Sequence, residues 1–371
     1  MKPNIILVLL DGSRTDRLSI SKDFLSVQKK GTLVNNVTAA YPYTFAAINA
    51  IFTGLFGKEN GVDAYYKMFK LKNSVDFLPE ILQSHGYFTA CDLISEKVIS
   101  KRGFDIYQSH DEYVDDLTTK HPDLIRNCFK KSNGKPIFTF LQFSKIHTAT
   151  VSEVLKKYDW DDKNYYKNQK NNLNNYDDAF HEAAKYAKII QNTIDQLKKS
   201  DETIIIFFCD HGTGIGERFG ERNYGVFTFE ETIRTYFLFI GPTILENKIS
   251  NKLLTTLQIL PTILELCEIK INSIPKEPSF ASFLIGNSLD PEEKNHTFSE
   301  TGGLQGPSPS PKKPNVFCIK TINFKLIYYQ TLDVWELYDL KNDPKEIKNL
   351  SGLNFKIEQT LKIKLLNWIN R

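Results

Sequence analysis

Residues Thr203–Gly216 read TIIIFFCDHGTGIG, a run of Ile and Phe that ends abruptly in Asp210, His211 and Gly212. Six hydrophobic side chains in succession, three of them β-branched, describe a strand buried on both faces, as in a parallel sheet. Open α/β sheets gather ligands and metals at the C-terminal ends of such strands. A hard carboxylate beside an imidazole is a metal-ligand pair, and Gly212 offers a backbone able to turn sharply beneath them. Working outward, the opening of the chain repeats this design. Asn4–Leu10 (NIILVLL) is a second buried-strand pattern, and it too stops at an acid, Asp11, followed by Gly12, Ser13 and Arg14.

The remaining strand patterns are Pro136–Phe143 and Tyr236–Ile240, and helical spacing is expected over Ala46–Phe52, Val75–His85, Asp178–Lys199 and Asn251–Cys267. Strand-like and helix-like segments therefore alternate, which predicts an α/β fold with a mostly parallel central sheet flanked by helices. Lys156–Asn175, rich in Tyr, Asp, Asn and Lys, reads as a solvated insertion or lid, and Gly302–Asn315 as a Gly/Pro/Ser loop. Beyond it, VFCIKT, FKLIYYQ and a closing helix predict a small C-terminal α+β subdomain. The expected division is 1–298 for a catalytic domain and 299–371 for a subdomain packed on it.

At 371 residues, with 41% hydrophobic and 25% charged residues, the composition is that of a globular protein. A net charge of +3 gives no reason to invoke nucleic acid. The apolar stretch Ile5–Leu10 is too short for a signal-peptide core or a membrane span, and no later run reaches spanning length. Five scattered cysteines without CxxC spacing suggest reduced, buried thiols and a cytoplasmic location. A homo-oligomer stays open.

Between the two strand-end acids, YPYTFAAINAIFTG places Thr44 just before a helix with small residues behind it. Alone, Thr44 reads as a helix cap and Asp11 as a turn residue. Together, Asp11, Thr44, Asp210 and His211 can meet at one sheet edge around a single divalent cation. A hydroxyl touching such a cation loses its proton more readily and becomes a nucleophile, and a helix N-terminus favours the anion it attacks. Carboxylate-rich ligation admits Ca²⁺, Mg²⁺ or Mn²⁺, while His211 keeps Zn²⁺ open.

At this point the chain resembles the sulfatase family of the alkaline-phosphatase-like superfamily. NIILVLLDGSRTDRLS is similar to the family's opening strand, metal Asp and following Arg; TFAAINAIFTGLFGKENGV to its nucleophile segment; PIFTFLQFSKIHT to the strand before a substrate-facing His, here His147; and DETIIIFFCDHGTGIGE to its second metal segment. FTFEETIRTYFLFIGP, LQILPTILELCEI and ELYDLKNDPKEIKNL resemble three later signatures, in family order along the chain. The resemblance implies an alkaline-phosphatase-like sandwich. It implies Asp11, Thr44, Asp210 and His211 as metal ligands, Thr44 and His147 as catalytic residues, and Arg14, His147 and Arg222 as substrate-binding.

The departures are specific. Where sulfatases carry a Cys-x-Pro-Ser-Arg segment whose Cys or Ser becomes formylglycine, this chain reads Thr44-Phe45-Ala46-Ala47-Ile48. Thr cannot become formylglycine, and Ile48 replaces the Arg. Gly12 replaces the usual second Asp, and Tyr224 a His or Lys. Thr as nucleophile resembles the superfamily's phosphodiesterases and phosphoethanolamine transferases, many of which bind two zinc ions. Lys188 stands near where those enzymes carry an Asp, and His181 is an isolated histidine, so one divalent cation is expected. The resulting expectation is hydrolysis of a sulfate or phosphate ester, on a small molecule or glycan. The alternatives are a phosphoryl transferase acting on a glycan or lipid precursor and a catalytically degenerate binding protein.

Overall fold

The computed structural model describes residues 2–64, 68–149, 161–271, 275–302, 314–353 and 355–371. Residues 156–160 of the expected lid and residues 303–313 of the Gly302–Asn315 loop lie outside the described residues; the rest of the expected lid is largely helical, over Lys163–Lys167 and from Gln169 onward.

Nine strands make the central sheet: β1 Asn4–Leu10, β2 Gly31–Thr38, β3 Phe88–Leu93, β4 Ile106–Ser109, β5 Ile137–Phe143, β6 Thr203–Phe208, β7 Arg234–Ile240, β8 Lys248–Ser250 and β9 Leu254–Thr255. Their order is β8-β2-β7-β6-β1-β5-β3-β4, with β9 also on β2. Every pairing is parallel except those of β7, which runs against both β2 and β6. β1 therefore sits at the centre, between β5 and β6, and all seven of its residues are buried.

The period-two geometry of a strand sends alternate β1 side chains to opposite faces. Ile5, Leu7 and Leu9 join a core with Ile48, Ile51 and Phe52 of α1 (Thr44–Thr53) and with Ile259 and Ile263 further along the chain. Ile6, Val8 and Leu10 pack with Leu124 and Ile125 of α2 (Leu117–Lys131), and with Phe180, Ala184 and Ile190 of α3 (Gln169–Gln196). Covering both faces explains why β1 and β6 read as unbroken apolar runs. α3 begins at Gln169, inside the stretch expected as a lid, because Tyr176 is buried and holds the loop after β1. Its hydroxyl accepts from Arg14 N (2.6 Å) and donates to Gly12 O (3.1 Å).

The C-terminal part is a four-stranded antiparallel sheet of Thr297–Thr301, Val316–Lys320, Phe324–Tyr329 and Val334–Asp339, followed by α4 (Phe355–Ile369). The boundary expected after residue 298 falls inside its first strand. Val316, Cys318 and Ile327 pack on Ala39, Phe229 and Ile233 of the main body, whereas Phe317, Ile319 and Leu326 pack on Leu361 and Leu365 of α4. A buried ion network joins the two parts: Lys325 Nζ lies 2.8 Å from Glu230 and 2.9 Å from Glu346, and Lys320 Nζ lies 2.9 Å from Glu230. All five cysteines are free and buried. Among the described residues no helix is long and apolar enough to cross a membrane.

Candidate metal-dependent active site

The C-terminal ends of the central strands deliver the site. Asp11 follows β1 directly, its N–H donating to Phe143 O at the end of β5 (3.1 Å). Asp210 and His211 follow β6 by one residue. Thr44 is the first residue of α1; Tyr43 holds the N-cap position and its side chain makes no capping bond. The Thr44 hydroxyl is thus not a cap. It lies 3.1 Å from His211 Nε2 and 3.3 and 3.5 Å from the two oxygens of Asp11. The N–H groups of the first helical turn, which have no intrahelical partner, open beside it.

His211 donates Nδ1–H to Gly212 O (2.8 Å), which fixes the tautomer and leaves Nε2 facing the carboxylates, 3.6 Å from both Asp11 Oδ1 and Asp210 Oδ2. His147, on the short turn after β5, brings Nε2 to 2.8 Å from Asp11 Oδ1, and Glu112 reaches its Nδ1 at 3.4 Å. Asp210 Oδ1 accepts from His211 N (3.0 Å). Asp11, Asp210 and His211 have no exposed surface, and Thr44 and His147 are buried.

The electrostatics of this cluster call for positive charge. Burial alone would raise the Asp11 carboxyl, but His147 and His211 overcome it and hold the group below its ordinary value. Burial and the neighbouring charge of Asp11 push Asp210 well up. Against its own burial, the carboxylates of Asp11 and Glu112 lift His147 to about 10. Among the described residues, the buried Asp210 Oδ2 has no hydrogen-bond partner. An orphaned buried carboxylate oxygen is what a divalent cation would satisfy: ligand atoms of Asp11, His147 and His211 lie within 4.8 Å of one another, and Asp210 Oδ2 adjoins them 3.6 Å from His211 Nε2, a carboxylate and imidazole set that fits such an ion.

Two glycines shape the floor. Gly12 has φ +78°, and a Cβ there would lie 2.7 Å from Thr213 Oγ1, so a second Asp cannot occupy this position without displacing that hydroxyl. Gly212 serves close approach: a Cβ would meet Glu231 O at 2.2 Å, where Gly212 N donates to Thr232 O (2.8 Å).

The two arginines expected to meet substrate are engaged within the protein. Buried Arg14 donates Nε and Nη2 to Asp16 (both 2.9 Å) and Nη1 to Glu217 (2.5 Å) and Thr213 O (3.1 Å). A buried guanidinium needs such partners, and here they use all three of its nitrogens. Arg222 Nη1 lies 3.2 Å from Asp162, with its guanidinium over the Tyr165 ring at 5.0 Å. Two contributors escaped the sequence reading. Gln142 donates Nε2 to Asp11 Oδ2 (2.6 Å), and Glu112 holds His147. A Gln inside the apolar strand IFTFLQF was the available signal for the first; Glu112 offered none. The Tyr224 ring packs at a tilt against His211 and His147, with ring centroids 4.4 and 5.5 Å away.

Comparison with known proteins bears on the family and the fold. A family profile described as Sulfatase matches residues 3–269, and one described as N-sulphoglucosamine sulphohydrolase, C-terminal, matches residues 224–370. An N-acetylglucosamine-6-O-sulfatase of Bacteroides thetaiotaomicron is 27% identical over 165 residues, 43% of this chain and 28% of that enzyme. The alignable region thus spans less than a third of that relative's length. Among solved structures, one described as a 2-O GAG sulfatase superposes with TM-score 0.83 at 17% identity, covering 100% of this chain and 92% of that one. The phosphonate monoester hydrolase of Agrobacterium radiobacter superposes with TM-score 0.73 at 14% identity, covering 99% and 95%. At these identities the structural likeness concerns the fold.

Proposed function

The chain belongs to the sulfatase family, and from that premise we propose that it cleaves sulfate or phosphate esters with Thr44 as nucleophile at a divalent-cation site. Asp11, Asp210, His211 and Thr44 would hold the ion. The observation that carries this reading is the Thr44 hydroxyl, uncommitted to capping and set 3.1 Å from His211 Nε2 and 3.3 Å from Asp11. The cation would supply stabilisation of the alkoxide and of charge on the ester oxygens.

The chain's own residues do the rest. Thr44 Oγ1 gives its proton to the Asp11 carboxylate, one oxygen of which is 3.3 Å away and the other joined to His147, and bonds to the central atom of the ester, while the bond from that atom to the leaving oxygen breaks. The backbone N–H groups at the start of α1 face the transferred group. His147 is held by Asp11 and Glu112 and is the candidate acid for the leaving oxygen, which departs as an alcohol. Water then attacks the Thr-linked group, breaking its bond to Oγ1 and regenerating the hydroxyl. Because Thr44 is a plain alcohol that cannot become formylglycine, phosphoryl transfer is the preferred chemistry. The curated relative's name supports a sugar ester as substrate.

The test is turnover of nitrophenyl phosphate, phosphodiester and sulfate substrates with added Mn²⁺, Zn²⁺, Mg²⁺ or Ca²⁺. Cation-dependent turnover, abolished by chelation and by Asp210→Asn, is the expected result. No turnover on any ester, from protein that holds no metal at Asp11 and Asp210, would contradict the proposal.

A further inference from the structure

A second buried cluster lies at the same sheet edge but on other elements. Asp92 stands near the end of β3, His110 directly follows β4, and His121 is on α2. All three are buried, and their candidate ligand atoms lie within 4.8 Å of one another. His110 Nδ1 contacts Asp92 Oδ1, and His121 Nε2 lies 3.5 Å from the same oxygen. Among the described residues His121 Nε2 has no hydrogen-bond partner, although it is fully buried and points at the carboxylate.

The setting of the Asp92 carboxylate parallels that of Asp11, with one oxygen held by a Gln and the other facing two imidazoles. There, Asp11 Oδ2 accepts from Gln142 Nε2 (2.6 Å) while Oδ1 faces two imidazole nitrogens. Here, Asp92 Oδ2 accepts from Gln108 Nε2 (2.6 Å) while Oδ1 faces two imidazole nitrogens. Each histidine's far nitrogen is tied to a hydroxyl: His110 Nε2 to Ser144 Oγ (3.0 Å) and His121 Nδ1 to Tyr186 OH (2.6 Å). Metal-bound histidines are commonly oriented in this way, with the outer nitrogen hydrogen-bonded and the inner one aimed at the ion. Lys120 Nζ, 3.7 Å from Asp92, sits on the Oδ2 side. A pocket of 440 Å³ lined by residues that include Ser109, His110 and Glu112 opens beside His110.

We propose that Asp92, His110 and His121 bind a second divalent ion, of the zinc class. Two imidazoles and one carboxylate suit Zn²⁺ better than Ca²⁺ or Mg²⁺. Asp92 is carried two strands away from β1, a separation of about 10 Å at the usual strand spacing. That exceeds the roughly 3.5–4 Å of ions that share one reacting group. The second ion is therefore structural. It ties the ends of β3 and β4 to α2, and it steadies the segment that carries Glu112 to His147.

Zinc titration of the metal-stripped full-length chain tests this, with elemental analysis and melting temperature as readouts independent of turnover. Two equivalents are expected for the natural sequence, and one for Asp210→Asn, Asp92→Asn or His121→Ala. Zinc should still raise the melting temperature of Asp210→Asn. Should the ligand variants fail to fold, Tyr186→Phe keeps all three ligands, and weaker binding of the second equivalent by about 10- to 100-fold is expected. A folded Asp210→Asn protein that binds no zinc, or a Tyr186→Phe or His121→Ala protein with unchanged zinc binding, would overturn the proposal. Because stoichiometry is read without substrate, this outcome is separable from loss of the catalytic reading.

Discussion

The Thr44 hydroxyl is where burial, helix geometry and ligation meet. It begins α1 rather than capping it, and the nearest polar atoms belong to Asp11 and His211. Thr44→Ala removes the attacking oxygen while keeping both carboxylates and both imidazoles. A loss of about 10³-fold or more in kcat is expected, with metal content retained. Elemental analysis beside steady-state rates checks both halves of that statement. Gln142 acts one step further out, by orienting Asp11. Gln142→Ala is expected to weaken metal affinity by about 10- to 100-fold and to leave the fold intact, read by metal titration and circular dichroism. Asp11, Thr44, Asp210 and His211 were legible as candidates in the sequence because each lies just past a buried strand or opens a helix. Gln142 and Glu112 were not, since their meaning depends on which strands are neighbours. The internal partners of Arg14 were hidden for the same reason. Asp16 is near in sequence, but nothing local announces that Glu217, two hundred residues away, also takes up its guanidinium.

Among elements, the segment between β6 and β7 gathers Asp210, His211 and Tyr224 and also buries Glu221. Glu221 accepts from Val226 N and Phe227 N, but burial and the charge of Glu231 push it up to about 8. The folded chain therefore binds a proton at Glu221 that the unfolded chain releases near its ordinary value of about 4.3. Stability should fall as pH rises from there to about 8, by at most about 1.4 kcal/mol per pH unit for this group, and level off beyond. Glu221→Gln is expected to flatten that part of the profile, measured by denaturant unfolding between pH 5 and 9; an unchanged slope would remove Glu221 as its source. Elements themselves were unevenly readable. β1, β5, β6 and β7 are near-continuous apolar runs. β2 was missed because Asn35 and Asn36 interrupt it where its pairing with β7 shifts register. α2 was hidden by Pro122 within it, and the start of α3 by the polar run QKNNLNN, which turns only Asn172 fully inward.

At the scale of the whole molecule, two sheets are held together by apolar packing and by the Lys320–Glu230–Lys325–Glu346 network. Glu230 is shared by both lysines, which keep its carboxyl far below the ordinary range despite burial. Glu230→Ala leaves two ammonium groups buried beside a single remaining carboxylate. A loss of about 3–5 kcal/mol is expected in equilibrium unfolding, whereas a change under about 1 kcal/mol would show the network to be incidental. The division into a large α/β body and a small antiparallel sheet was visible in the order of strand patterns. The ion network was not, because Lys320 and Lys325 look like ordinary solvated lysines on alternating strands.

The central claim is that Thr44 Oγ1 bonds covalently to the group it transfers. Rapid quenching during turnover of a phosphate or sulfate ester, followed by proteolysis and mass spectrometry, tests it most directly. The expected result is one phosphoryl or sulfuryl group on the peptide containing Thr44, absent from Thr44→Ala. Undiminished turnover by Thr44→Ala, or a label trapped on a different residue, would contradict it.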